Sequence, residues 1–136
     1  NHALRMSGVS PSQLDCIQAA ASGGTEPDAL EAEAYERLLG GHDAGPLITS
    51  LKGATGEIFA GGGIRAAALA LSIREGIVPP AVGLAAPMSR LPFVIVEARR
   101  RPVKRALLSG ISFGGTYACL LFEKEAIEPA ARSVGL

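Results

Sequence analysis

Lys52-Gly53-Ala54-Thr55-Gly56-Glu57, leading through Gly61-Gly62-Gly63 into Ile64-Arg65-Ala66-Ala67-Ala68-Leu69-Ala70-Leu71, is the stretch on which the reading of this chain turns. A Lys-x-x-Thr-Gly loop precedes a helix, expected over Ile64–Arg74, built almost wholly from Ala, Leu and Ile. Its polar exceptions are Arg65, Ser72 and the terminal Arg74. A helix apolar nearly all round must be covered on more than one side, as between two layers. Gly76 is expected to cap it, and Val78-Pro79-Pro80 to enforce an extended exit.

Working outward, Leu47–Leu51 before the loop reads as a short strand, and Cys16–Ala21, apolar except for Gln18, as a buried one. Small residues at 22–25 turn the chain into a helix opened by Pro27. Asp28, Glu31 and Glu33 lie early in it, where acids suit the macrodipole, and Gly40-Gly41 stops it. Leu30, Ala34 and Leu38, with Tyr35 and Leu39, are its expected apolar stripe. Ala3–Ser7 reads as a last helical turn stopped by Gly8, and Ser10-Pro11 as the start of another short turn. Phe93–Val96 reads as a strand. Arg105–Ser112 and Thr116–Phe122 read as two more, joined through Gly114-Gly115 as an antiparallel hairpin.

The 136 residues suit about one domain, and with 48% of them apolar a folded core is expected rather than disorder. Thirteen bases balance thirteen acids, so no global field recruits nucleic acid or an anionic membrane. The longest apolar run, within 66–73, is too short to span a bilayer. Cys16 and Cys119 form no CxxC, and only His2 and His42 accompany them, so no metal site is expected and a reduced, cytoplasmic setting is. Gly61-x-Gly63-x-x-Ala66 imitates a dinucleotide fingerprint, but its strand lead-in is short and no acid follows near Gly83–Ala86. No Walker lysine follows these glycines, and no other cofactor is indicated. The chain does not begin with Met, and its opening reads as a helix under way, which suggests a fragment. Residues 1–124 are expected to form the domain and 125–136 a tail.

Four segments together resemble the C-terminal half of β-ketoacyl-(acyl-carrier-protein) synthases, of the thiolase-like superfamily. That family has a His-Gly-Thr-Gly-Thr strand end followed by Asp eight and Glu eleven residues after the His. Asp28 and Glu31 place that position at Ala20 without a gap. In the family's Lys-x-x-Thr-Gly-His motif, Lys52, Thr55 and Gly56 match and the His is Glu57. Gly76–Pro80 sits where the family has its Pro-Pro turn, and Phe113-Gly114-Gly115-Thr116-Tyr117-Ala118 resembles Phe-Gly-Gly-Thr-Asn-Ala. The match covers roughly Leu14–Phe122. The resemblance implies an α/β fold: a mixed sheet with a buried Ala-rich helix between layers, normally stacked on a similar N-terminal half. By analogy with the fold, the loops after Ala20, Leu51 and Ser112 are expected to line one pocket mouth.

In the family a cysteine of the N-terminal half takes the acyl chain, and two histidines bind the malonyl thioester oxygen and assist decarboxylation. Both histidine positions are replaced here, at Ala20 and Glu57. Losing one oxyanion donor typically costs about 10²–10³ in rate, and an ionised Glu57 would repel the malonyl carboxylate. The resemblance narrows to the chain-length-factor subunits of type II polyketide synthesis, in which an Ala-rich segment and a Gly-Gly pair stand at the places of Ala19-Ala20-Ala21 and Gly61-Gly62-Gly63. The implied partners are an active ketosynthase subunit, in a homo- or heterodimer, and an acyl carrier protein with a phosphopantetheine-linked acyl chain. The alternative is an acyltransferase of the same fold that needs no decarboxylation.

Lys52 and Glu57 are expected either to form an internal ion pair or to act on another acyl substrate. Phe113, with Gly114, Gly115 and Thr116, corresponds to the family's acyl gate, though Phe113 equally suits plain core packing. Tyr117 fills volume where the family has an amide. Arg99, Arg100, Arg101, Lys104 and Arg105 are either a carrier-docking patch or a charged, solvated strand edge. Cys16 and Cys119 are expected to be buried and inert.

Overall fold

The computed structural model describes residues 2–40, 45–112 and 114–125. After a helix α1 (His2–Ser7) and a single 3-10 turn at Pro11–Gln13, β1 (Cys16–Gln18) enters the centre of a four-stranded sheet. The sheet runs β2 (Leu47–Thr49), β1, β5 (Arg105–Ile111), β6 (Tyr117–Glu123). β1 is parallel to both β2 and β5, whereas β5 and β6 form an antiparallel hairpin with Leu107 opposite Leu121. The sheet is therefore mixed, as expected. A second, two-stranded sheet pairs β3 (Ile77–Val78) with β4 (Arg99–Arg100).

Alternation along β1 and β5 divides the core in two. Ile17 and Leu107 face α1 and α2 (Thr25–Leu39), packing with Leu4, Tyr35 and Leu39. Cys16, Ala106 and Leu108 face the opposite way, against Leu69 and Ile73 of α4 (Gly61–Glu75). α4 begins three residues before the expected start and ends at Gly76, whose φ of +64° is the left-handed cap that a glycine adopts without a Cβ penalty. Within the described residues α4 buries one row, Arg65, Leu69, Ser72 and Ile73, while Leu71 on the outer side is 49% exposed.

Three local expectations are corrected. The buried stripe of α2 is Glu31, Tyr35 and Leu39, and Leu30 is 57% exposed. The helix is turned because Glu31 has backbone partners inside, which outweigh the burial of one more leucine. Phe93–Val96 is not a strand but a single parallel bridge from Phe93 to Ile48, held by Ile48 N–H to Pro92 O and Val94 N–H to Ile48 O. The ladder stops there in a segment where Pro92 has no N–H to offer. The Lys52–Glu57 loop contains a helical turn, α3 (Lys52–Thr55), closed by Gly56 N–H to Lys52 O at 2.8 Å. The tail beyond residue 125 lies outside the described residues.

Cys16 is buried, but Cys119 is exposed, because β6 is the sheet's edge strand and Tyr117 to Leu120 all face solvent. Burial pushes the Cys16 thiol up to about 12. At pH 8 its thiolate fraction is then about one in 10⁴. Brief iodoacetamide treatment at that pH is expected to alkylate Cys119 alone, as peptide mapping would show.

Candidate active-site cleft

β1 and β2 run parallel, so both deliver their following loops to the same end of the sheet. The loop after β1 is held by two carboxylates of α2. Glu31 accepts from Ala20 N–H at 2.9 Å and Ala21 N–H at 2.8 Å, one oxygen each. Asp28 accepts from Ser22 N–H at 2.8 Å, Ser22 Oγ at 3.1 Å and Gly23 N–H at 2.9 Å. The spacing of Asp28 and Glu31 is thus a brace: residues three apart on a helix lie on one face and grip four consecutive loop residues. Within it Ala21 has a φ of +34°, a conformation uncommon outside glycine and tolerable only where surroundings determine it.

Tyr35, one turn beyond Glu31, donates its hydroxyl to Glu31 Oε1 at 2.6 Å. Burial, then the neighbouring carboxylate, push the phenol far above its ordinary range, so it remains a hydrogen-bond donor. On the other face of the sheet, Arg65 Nη2 donates to Ala19 O at 2.7 Å, Ser109 O and, at 3.3 Å, Gln18 O. The β1–β5 ladder ends at Gln18 opposite Leu108, so Arg65 clamps the two strands where their backbone pairing stops. Arg65 as a whole is only 5% exposed, and its Nε–H has no partner among the described residues. Desolvation lowers its pKa, and Glu31, Tyr35 and Glu57 nearby oppose that fall.

After β2, the α3 turn brings Glu57 back onto Lys52, and the two form an ion pair in which Lys52 is 11% and Glu57 47% exposed. A cavity of about 370 Å³ opens between this pair and the brace, walled by Glu31, Tyr35, Lys52, Glu57, Val82 and Met88 among others. Two contacts fix its far wall. Thr49 Oγ1 donates to Pro79 O at 2.6 Å. Gly53 lies so close to Val82 O that a Cβ at 53 would stand 1.8 Å from it.

The sequence-derived site residues are thus partly assembled. Lys52 and Glu57 meet at the cavity. Ala20 is buried on the brace and its neighbours Ala19 and Ala21 line the wall. The loop after Ser112 does not join them among the described residues: Gly114, Gly115 and Thr116 form the exposed hairpin turn, closed on itself by Ser112 N–H to Thr116 O and Gly115 N–H to Ser112 O, both 3.0 Å. Phe113 lies outside the described residues. Arg99, Arg100, Arg101, Lys104 and Arg105 stand at the other end of the sheet. The amides of Lys104 and Arg105 bond Asp15, five residues of nearly extended chain, about 16 Å, before Ala20. Glu31, Tyr35 and Arg65 carry the site's geometry without having been given a role in it. A spacing of two acids and a lone cation in an apolar helix were their only signals.

Residues 1–85 match the family described as beta-ketoacyl synthase, C-terminal domain. The chain belongs to that family. This synthase domain is 34% identical over 125 residues to the 3-oxoacyl-[acyl-carrier-protein] synthase 2 of Rhizobium meliloti, covering 90% of the chain and 30% of that protein. It is 36% identical, at the same coverages, to the tetracenomycin polyketide synthase ketoacyl synthase beta subunit of Streptomyces glaucescens. Among solved structures it superposes on the type II polyketide assembly AntDE:AntF, a ketosynthase with its acyl-carrier protein, with a TM-score of 0.85 at 28% identity, covering 92% of the chain and 31% of that one. On the ishigamide ketosynthase/chain length factor the TM-score is 0.83 at 25% identity, covering 90% and 31%. The chain spans about 30% of the length of these curated relatives. These likenesses establish the thiolase-like C-terminal half that the motifs implied. No helix among the described residues is long and apolar enough to cross a membrane.

Proposed function

We propose that this domain belongs to a catalytically degenerate β-ketoacyl synthase, a chain-length-factor-like subunit that shapes an acyl tunnel beside an active ketosynthase. The observation that carries the reading is the intact brace around Ala20. Asp28 and Glu31 hold a loop in defined geometry, yet the position where the family has a histidine presents a methyl group. The second histidine position is a carboxylate tied to Lys52. Neither offers an oxyanion donor, and Glu57 adds negative charge where an enolate would form. Partners of the kinds that the structural neighbours have, a ketosynthase subunit and an acyl carrier protein, fit the reading. The cavity, with apolar walls at Ala81, Val82, Leu84 and Met88, suits a thioester-linked chain delivered by the carrier.

The test is made on the full-length protein. Alone, with malonyl-loaded carrier protein, it is expected to release no carbon dioxide above background; with its ketosynthase partner the pair is expected to elongate. Decarboxylation by the lone subunit would overturn the reading. Within the pair, Glu57→Gln is expected to leave turnover within about fivefold, since an ion pair whose carboxylate is half exposed contributes at most about 1 kcal/mol. Collapse of turnover with unchanged folding would assign Glu57 a direct part in the chemistry instead.

A further inference from the structure

The chain is neutral overall, with thirteen bases and thirteen acids, but its charge is not evenly spread. At the end of the sheet remote from the acyl cleft lies a second depression, of about 590 Å³, bounded by the C-terminus of α4, the β4–β5 connection and the residue after β6. Its wall carries Arg74, Arg100, Arg101, Lys104 and Lys124 against a single acid, Glu75. Three separate segments supply these cations, so the cluster is made by the fold and not by the Arg99–Arg101 run alone. Alternation sorts that run: Arg100, opposite Ile77, lines the depression, whereas Arg99, opposite Val78, points from the other face of β4 and does not. Arg105 is also withdrawn, paired with Glu123 at 2.6 Å.

Two of the acids nearby, Asp15 and Glu75, are already engaged. Asp15 accepts from the amides of Lys104 and Arg105 and stands 3.9 Å from Arg101, and Glu75 pairs with Arg74. Among the described residues Arg100, Lys104 and Lys124 have no ion-pair partner. The floor is rigid: Arg101 N–H bonds Gly76 O at 3.0 Å, and a Cβ on Gly76 would come within 3.2 Å of Arg101 O. The C-terminal dipole of α4 accounts for a cation or two here, but not for five. The cationic side chains are exposed or half-exposed, with Arg74 71% accessible, so no enclosed pocket fixes a small anion. Open, convergent positive charge suits an extended acidic surface, met by steering and held weakly.

We infer that this depression is a docking site for an acidic segment of a partner protein, separate from the acyl cleft. It can be tested on the full-length protein by fluorescence anisotropy with a short fluorescein-labelled poly-glutamate peptide. Binding is expected at low ionic strength, weakened about tenfold or more at about 0.5 M salt, where the Debye length is a few ångströms. Arg100→Glu combined with Lys104→Glu is expected to weaken it at least about tenfold. Arg99→Glu combined with Arg90→Glu, the same change in net charge placed outside the depression, is expected to leave it unchanged. Equal loss in both double variants would show a mere net-charge effect and overturn the proposal. So would displacement of the peptide by an equal concentration of inorganic tripolyphosphate, which would mark a small-polyanion site, or no binding at low salt. All four positions are exposed, and matching melting curves would show that the variants fold.

Discussion

Glu31→Ala is expected to destabilise the domain by about 3–5 kcal/mol, the sum of leaving two loop N–H groups and a buried phenol without their acceptor, less what water recovers from the adjoining cavity. The unfolding midpoint in urea reports the loss. Glu31→Gln retains one acceptor oxygen but turns an NH₂ toward a backbone N–H, so about half the loss is expected from it. Because Ala21 holds a φ of +34° only under this restraint, amide exchange at residues 20–23 is expected to speed up more than that of β5. A uniform acceleration throughout the sheet would show that Glu31 supports the whole fold and not the loop in particular.

Arg65→Met is the second large effect, about 2–4 kcal/mol. A methionine fills the stem's volume and removes the cost of a buried guanidinium, but it orphans the carbonyls of Ala19 and Ser109 at the point where the β1–β5 ladder has ended. Replacing a buried ion pair by apolar groups is often neutral, because both charges leave together. Here the partners are backbone oxygens and cannot be removed, so the substitution is costly. Arg65→Lys is expected to recover only part, since an ammonium lacks the planar fork that reaches several carbonyls at once. Thermal melts of the three proteins would rank them native, Lys, Met; a Met variant as stable as the native protein would mean that water replaces the clamp.

The elements that were legible in the sequence are those whose signals are local. Proline and glycine punctuation located the end of α4 at Gly76, and two apolar runs separated by the Gly114-Gly115 turn located the β5–β6 hairpin. What was not legible depended on partners distant in the chain. The stripe of α2 was legible at Tyr35 and Leu39 but not at Glu31, because an acidic residue, usually solvated, faces inward wherever a loop offers it donors, and Glu31 meets Ala20 and Ala21 only in the fold. Cys119 sits in an apolar run like that of Cys16, but one strand lies at the edge and the other at the centre of the sheet, an order no local pattern encodes. For the site, Lys52 and Glu57 were visible through a motif. Arg65 was noted only as an interruption of an apolar helix, although it joins three carbonyls more than forty residues away.

The outer row of α4, with Ile64 and Leu71 about half exposed, has a thermodynamic consequence. Any surface that closes over those side chains removes apolar area from water at about 25 cal/mol per Å² and binds only the folded helix. Its affinity is then added to the stability of the fold by mass action, and the melting temperature of the domain becomes a function of that surface's concentration. Stability in such a half-covered layer is a property shared between two bodies rather than owned by one.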